Sequence, residues 1–271
     1  MTTDTYLIVE PNNGEFDMGD GPRAYEVGEL VPEKRPELAG VAPVLYLLDH
    51  GERQLSHIHA MASNDHEQQR APIVCATLET EAGIDEVREH LAQALLLSKP
   101  VAGTAVFRYY DPRVYSHLGW ILEPSQLATL MGPVVRWSWL DVSGQWKNAR
   151  FDGQPSAPLA VRDEQYQQIA RLALVRQVLT LLQDGGVDIT PELPRQIDAQ
   201  IRKAEAYGLE AEDQIPFALH GVLVASNFDR HPQIQAVIAG ARAKPYAEAV
   251  AAFDDNDWQR IGRESADYPL R

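Results

Sequence analysis

Apolar positions follow two different rhythms along this chain. Up to about residue 150, short apolar runs of strand length alternate with stretches of helical spacing. Beyond residue 160 only helical spacing remains. The first rhythm predicts strands over residues 6–9, 43–48, 73–78, 102–110 and 134–141. A further run over 145–151 can pair with the last of these across a turn at 142–144. Residues 102–110 give the clearest strand, because β-branched and aromatic side chains mix over a run of suitable length.

Helices are predicted between these runs, over 55–61, 83–97, 113–122 and 125–131. In the 83–97 stretch, Ile84, Val87, Leu91, Ala94 and Leu95 share one face, with Thr80 as a candidate N-cap and Lys99-Pro100 as the stop. Asp111-Pro112 places a capping side chain before a proline whose fixed φ suits the first helical position. Gly132-Pro133 ends the 125–131 helix. Residues 10–38 are rich in Gly, Pro, Asp and Glu and read as loop, and residues 64–70 as polar and exposed.

The second rhythm predicts a long helix over 163–182, broken at Gly185-Gly186. Another runs over 191–207, capped by Thr190 and stopped by Gly208. Shorter helices follow over 213–225, 231–241, 246–253 and 256–261, and the last ten residues read as frayed. With a linker over 151–158, the expected architecture is mixed α/β. A sheet covered by helices over residues 1–152 is followed by an all-helical lobe over 160–265.

Charge adds a constraint. The chain has 271 residues and a formal net charge of -15, so a nucleic-acid partner is disfavoured. The acidic excess sits mainly in residues 1–99, whereas residues 100–150 are slightly basic. That distribution suits a well-solvated protein able to meet a basic protein partner. The sole cysteine, Cys75, lies in the apolar run Ile73-Val74-Cys75-Ala76 and is expected to be a core thiol. Neither a signal-peptide pattern nor an apolar run of membrane-spanning length is visible, so no membrane partner and a cytoplasmic location are expected.

Catalytic patterns are missing where they would be looked for. His57 and His59 lie two apart, with no third ligand at useful spacing unless Asp49, His50 or Asp65 converge on them. There is no phosphate loop with its lysine and no nucleophile elbow. Residues 19–21 lack the strand–helix frame of a nucleotide fingerprint. Asp254-Asp255 with Asp257 lacks the calcium-loop pattern and reads as a helix cap. No catalytic group, metal or cofactor is therefore expected.

One segment stands apart: Phe107-Arg108-Tyr109-Tyr110-Asp111-Pro112-Arg113. In a strand, Phe107 and Tyr109 would face one way, and Arg108 and Tyr110 the other. An arginine there needs a carboxylate, either Asp111 or a distant acid. Bracing of the fold, contact with a partner and catalysis are the alternatives this segment leaves open. Arg108, Arg113 and Trp139 are the foremost candidates for a bracing or contact role.

The same segment resembles a bacterial family known as a domain of unknown function, the DUF4123-like adaptors or effector chaperones of the type VI secretion system. Phe107, Arg108, Tyr110, Asp111, Pro112 and Arg113 carry the resemblance. It continues through Leu127, Gly132-Pro133 and the aromatic strand ending Trp137-Ser138-Trp139, to Gly144 and Trp146. The leucine-rich helix end over 89–97 is similar, as are Glu205-Ala206-Tyr207-Gly208-Leu209, Phe217 and Asn227-Phe228-Asp229-Arg230-His231-Pro232, so that the likeness spans roughly residues 43–232.

The start of the chain departs from the family. Glu10 is followed by Pro11-Asn12-Asn13-Gly14 where members carry an aspartate–glycine–alanine turn into a helix. The resemblance implies a non-catalytic adaptor, without cofactor, that binds a secreted effector and helps place it on the spike protein; the acidic N-terminal half and the helical lobe make a basic or helical segment of that effector the expected contact. An immunity protein that occludes a toxin, and a small hydrolase using His57 or His59 with Asp49, are the competing classes.

Overall fold

The structure, a computed structural model, describes residues 3–18, 23–49, 51–99 and 101–265, with residues 51–53 described by their backbone alone. His50, Pro100, the glycine pair of residues 19–21 and the final residues 266–271 lie outside the described residues. The chain divides into two compact units, Met1–Tyr166 and Gln167–Arg271. As expected, the first is mixed α/β and the second is helical.

The first unit is built on six strands: β1 (Asp4–Val9), β2 (Ala24–Glu29), β3 (Val44–Leu48), β4 (Val74–Thr80), β7 (Val134–Leu140) and β8 (Trp146–Arg150). They pair antiparallel throughout, in the order β2-β3-β1-β4-β7-β8. Two further strands, β5 (Leu96–Ser98) and β6 (Thr104–Val106), form a separate hairpin. The helices are α1 (Gly51–Glu67), α2 (Ile84–Gln93), α3 (Pro112–Ile121) and α4 (Pro124–Met131).

The two-residue period of the strands sorts their side chains into two layers. Leu7, Val9, Val74 and Leu140 pack with Ile58 and Ala62 of α1. Their neighbours face the other way. Tyr6, Leu78 and Trp137 lie side by side across β1, β4 and β7, and Tyr115 of α3 stacks on Trp137 at 5.3 Å. The sheet is thus covered on both faces, which is why most of β1 and β4 is apolar without alternation.

Local chemistry sets several of the helix starts. Asp111 accepts a hydrogen bond from the Arg113 amide at 3.0 Å, with Pro112 at the first helical position of α3. Glu123 and Gln126 form a capping box around Pro124 at the start of α4. Gly132 ends α4 with φ +52°, and an added Cβ would lie 2.3 Å from the His90 ring. A side chain at that position is therefore excluded both by backbone conformation and by space.

The second unit contains α5 (Asp163–Asp184, whose first turn belongs to the first unit), α6 (Leu193–Ala206), α7 (Ala211–Leu223), α8 (Pro232–Gly240), α9 (Tyr246–Val250) and α10 (Asp255–Ser265). Val175, Val178, Leu182, Ile197, Ile201 and Ala218 form one apolar cluster, and Phe217, Phe228, Ile234, Tyr246 and Ile261 help form a second. Asp213 caps α9 by accepting from the Tyr246 and Ala247 amides at 2.8 and 3.0 Å. Asp254 caps α10 by accepting from the Asp257 amide at 2.9 Å, the role read from its sequence.

The structure corrects several expectations. The strand expected over 102–110 is only β6, because the chain turns at Arg108, where the Asp111 amide donates to the Arg108 carbonyl at 3.0 Å. The alternation of faces over Phe107–Tyr110 is therefore lost, and Phe107, Tyr109 and Tyr110 are all buried. The helix expected over 83–97 stops at Gln93, since the leucines that follow pair in the β5–β6 hairpin. Gly83, not Thr80, precedes that helix, and the Thr80 hydroxyl donates to the Pro133 carbonyl at 2.7 Å.

Other boundaries move as well. The helix expected over 55–61 runs the full length of α1, and Asp65 within the supposedly exposed 64–70 stretch is buried. The loop expected over 10–38 contains β2. Glu192 rather than Thr190 precedes α6. The stretch expected to be a linker is bonded along the first unit. Phe151 and Gln154 donate through their amides to the carbonyls of Val135 and Gly132, and Ser156 bonds the His90 ring at 3.0 Å. Among the described residues no helix is long and apolar enough to cross a membrane.

Candidate functional site

The turn between β6 and α3 is where the distinctive segment lies, and its polar groups converge on two buried carboxylates. The first is Glu10, one residue beyond the apolar strand β1. It is 1% exposed. Its position is fixed by its own amide, which donates to the Ile73 carbonyl at 2.9 Å, and by Asn12, which donates to its carboxylate from both backbone and side chain. Across the unit, the Arg108 guanidinium donates to Glu10 at 2.9 Å and the Tyr110 hydroxyl at 2.7 Å.

Asp111 is the second carboxylate, and it is 3% exposed. Besides capping α3, it accepts a two-pronged bond from Arg113, at 2.9 Å from Nε and 2.6 Å from Nη2. Arg108 also approaches it, at 3.5 Å. A planar guanidinium fits a carboxylate in this forked manner, which lysine does not reproduce. Two acids and two arginines thus form one charge-balanced joint that ties the start of the chain to the β6–α3 turn.

The burial of the joint is asymmetric. The acids are enclosed, while the Arg108 and Arg113 side chains are 43% and 31% exposed. Arg108 also lies over the Tyr110 ring, 5.8 Å from its centroid. Arg113 borders a small cleft of about 80 Å³, together with His66, Arg70 and Asp141. Solvent therefore meets the guanidinium side of the joint.

Electrostatics and burial act consistently on the neighbouring groups. Burial, then the hydrogen bond to Glu10, pushes the Tyr110 hydroxyl far above the ordinary tyrosine range. The hydrogen bond from Arg113 to Asp111 holds its guanidinium above the usual value despite partial burial. Cys75 is fully buried, and burial first, then the charges of Asp111 and Glu10, push its thiol well up. A thiol so placed stays protonated and acts as a core side chain, as its sequence context suggested.

The remaining motif residues build the frame around the joint. Phe107 is buried beside Tyr109, and the Tyr109 hydroxyl donates to the Leu91 carbonyl at 3.0 Å. Pro112 is buried at the start of α3. Trp137 is fully buried between Tyr109 and Tyr115, and Trp139 meets Tyr115 edge-on at 4.7 Å while remaining half-buried. Gly132 gives the His90 ring its space, and the Pro133 carbonyl receives Thr80. His90 in turn bonds the Leu130 carbonyl at 2.9 Å and Ser156 at 3.0 Å.

The histidines considered as ligands do not assemble. His57 is exposed, His59 stacks on Trp146 at 3.8 Å, and Asp65 holds Arg70 at 2.7 Å. Among the described residues there is no group of three or more His, Cys, Asp or Glu able to hold a metal, and His50 lies outside them.

Sequence reasoning missed Glu10 as a member of the site. Its one local signal is an acid at the end of the run Tyr6-Leu7-Ile8-Val9, where a buried carboxylate needs a donor. Asn12 supplies a local donor, but the cation comes from a residue 98 positions away, a pairing that no local pattern encodes.

Neither the curated proteins nor the solved structures gave a match to this chain. A family match covers less than half of the chain, with Phe107 to Arg113 inside it, and Glu10, Gly132, Pro133, Trp137 and Trp139 outside. Over residues 30–129 the chain is similar to the family described as Domain of unknown function (DUF4123).

Proposed function

We propose that this chain is a non-catalytic adaptor, or chaperone, that binds a type VI secretion effector and assists its loading onto the spike protein. The DUF4123 domain is associated with that adaptor role, and the similarity to it takes in the whole arginine–aromatic–Asp-Pro-Arg string. The observation that carries the reading is the asymmetry of the joint. Buried Glu10 and Asp111 hold two arginines whose outer faces are open to a partner. Arginine is favoured at the energetic centres of protein interfaces, and its geometry here is fixed before any partner arrives. The acidic surface of the rest of the chain speeds encounter with a basic client region.

The test is affinity purification of the tagged full chain from its native cell, with the co-purifying proteins identified. A toxin-like effector and a spike protein are expected together. Recovery of neither would overturn the reading. Protection of cells from a co-expressed toxin, without any spike association, would replace it with an immunity role.

A further inference from the structure

A recess of about 680 Å³ lies in the first unit and shares no residue with the joint. It is lined by the outer face of α2, the β5–β6 hairpin, the end of α4 and the extended stretch over 156–159. Leu96, Leu159, Ala157 and Pro158 give it apolar surface. Asp85, Glu86 and Glu89 give it charge, against one cation, Lys34.

Two features make this more than a solvated helix face. First, the three carboxylates lie at i, i+1 and i+4 on α2 and share one side of the helix, opposite buried Val87 and Leu91. Asp85 and Glu86 gain from the helix N-terminus, but Glu89 lies beyond the first turn. Like charges at the 85–89 and 86–89 spacings weaken the helix. Second, the recess is preformed. Its extended wall is held by Ser156 on His90 at 3.0 Å and by the Gln154 amide on the Gly132 carbonyl at 2.6 Å.

Apolar surface edged by three carboxylates against one lysine complements one kind of partner, a segment with apolar side chains on one face and lysine or arginine on the other. It repels phosphate backbones and anionic lipid. We infer that this recess docks a basic amphipathic segment of the client effector. The inference rests on the adaptor reading for the identity of the client and names the chemistry by which the client is held.

The probe is a fluorescent 14-residue amphipathic peptide of leucine and lysine, titrated into the full chain, with a leucine–glutamate peptide as control. Saturable binding of the lysine peptide alone is expected, weakening as salt rises. The neutral triple variant Asp85→Asn, Glu86→Gln, Glu89→Gln should weaken it by about tenfold or more through the lost charge attraction. Thr129→Trp, which fills the recess from α4 and leaves the carboxylates in place, should weaken it comparably. No binding, or affinity unchanged in both variants, would overturn the inference. Client recovery from cells that survives both variants would also remove the recess from the account, leaving the adaptor reading intact. Peptide binding lost in both variants, with no effector recovered from cells, would keep the recess and remove the adaptor.

Discussion

Each unit contains an arginine–carboxylate cluster in which one side chain serves two partners, and these two clusters are built in opposite senses. In the α/β unit the acids are buried and the arginines reach solvent. In the helical unit Arg171 of α5 is itself enclosed, with a side chain 6% exposed, and donates to buried Asp198 of α6 at 2.7 Å. Glu205, about two turns further along α6, accepts from the same arginine at 3.1 Å. The closed cluster can only brace two helices, since no partner can reach its cation. The open one braces and also presents. The same pair of residue types therefore serves different ends according to which member is desolvated.

The largest effect should come from breaking the closed cluster. Asp198→Ala removes the buried partner of an enclosed guanidinium and leaves it only the partly exposed Glu205, a situation that destabilises by about 3 kcal/mol, the lower end of the range for a broken buried pair. Urea denaturation monitored by circular dichroism should show that loss. The double variant Arg171→Met with Asp198→Leu should recover most of it, because no buried charge is then left unpaired. A loss below 1 kcal/mol in the single variant would mean that Arg171 escapes to water, and the contrast between the clusters would fail.

The units also carry one strongly perturbed histidine each, which gives them a shared pH response. Burial depresses His117 in the first unit and His220 in the second from the ordinary 6.5 to about 4. A group whose folded value lies below its unfolded one binds protons first in the unfolded chain. Stability is therefore complete above about pH 6.5 and is lost as pH falls towards 4. Each histidine contributes up to about 3 kcal/mol over that window. His220 also bonds Tyr246 at 2.8 Å and stacks on Trp258 at 4.0 Å. In stability measured against pH, His117→Leu and His220→Phe should each flatten the decline between pH 6.5 and 4. A slope unchanged in both would show that the rings protonate in the folded protein.

In the open cluster the smaller loss should fall on Glu10. While the exposed Asn12 side chain keeps the Val41 carbonyl, Glu10→Ala removes the acceptor of the buried Tyr110 hydroxyl. It leaves Arg108 free to turn outward. Unmet buried polar groups of this kind destabilise by about 1–3 kcal/mol. A loss as large as that of Asp198→Ala would erase the distinction drawn from exposure.

What the sequence alone makes legible follows from the range of each interaction. Caps and breakers act within four residues, so Asp111-Pro112, Gly132 and the helical rhythm beyond residue 160 were readable. The run Leu95–Leu97 is ambiguous because apolar spacing alone does not distinguish a last helical turn from a short strand in a hairpin. The turn at Arg108 was hidden for a related reason. Burying adjacent Tyr109 and Tyr110 requires the chain to leave the strand, and the need appears only once Leu91 and Glu10 are in place to receive their hydroxyls. Arg108 announced that it needed an acid, but the choice of Glu10 belongs to the topology that lays β1 beside β4.

The smallest effect on folding should carry the most information about function. Arg113→Lys keeps the positive charge beside Asp111, while the backbone amide that caps α3 is untouched. A partly exposed ion pair contributes about 0–1 kcal/mol, so stability should change by less than that. What lysine cannot supply is the rigid fork that holds Nε and Nη2 on Asp111 and aims the remaining face outward. If that face is what a client meets, capture of the co-purifying effector by the Arg113→Lys protein should fall about tenfold at unchanged melting temperature, the range of an interface hot spot. The equivalent substitution in the closed cluster, Arg171→Lys, should lower the melting temperature and leave capture by the remaining folded protein unaltered. Equal behaviour of the two variants in both measurements would mean that exposure of the guanidinium has no bearing on binding.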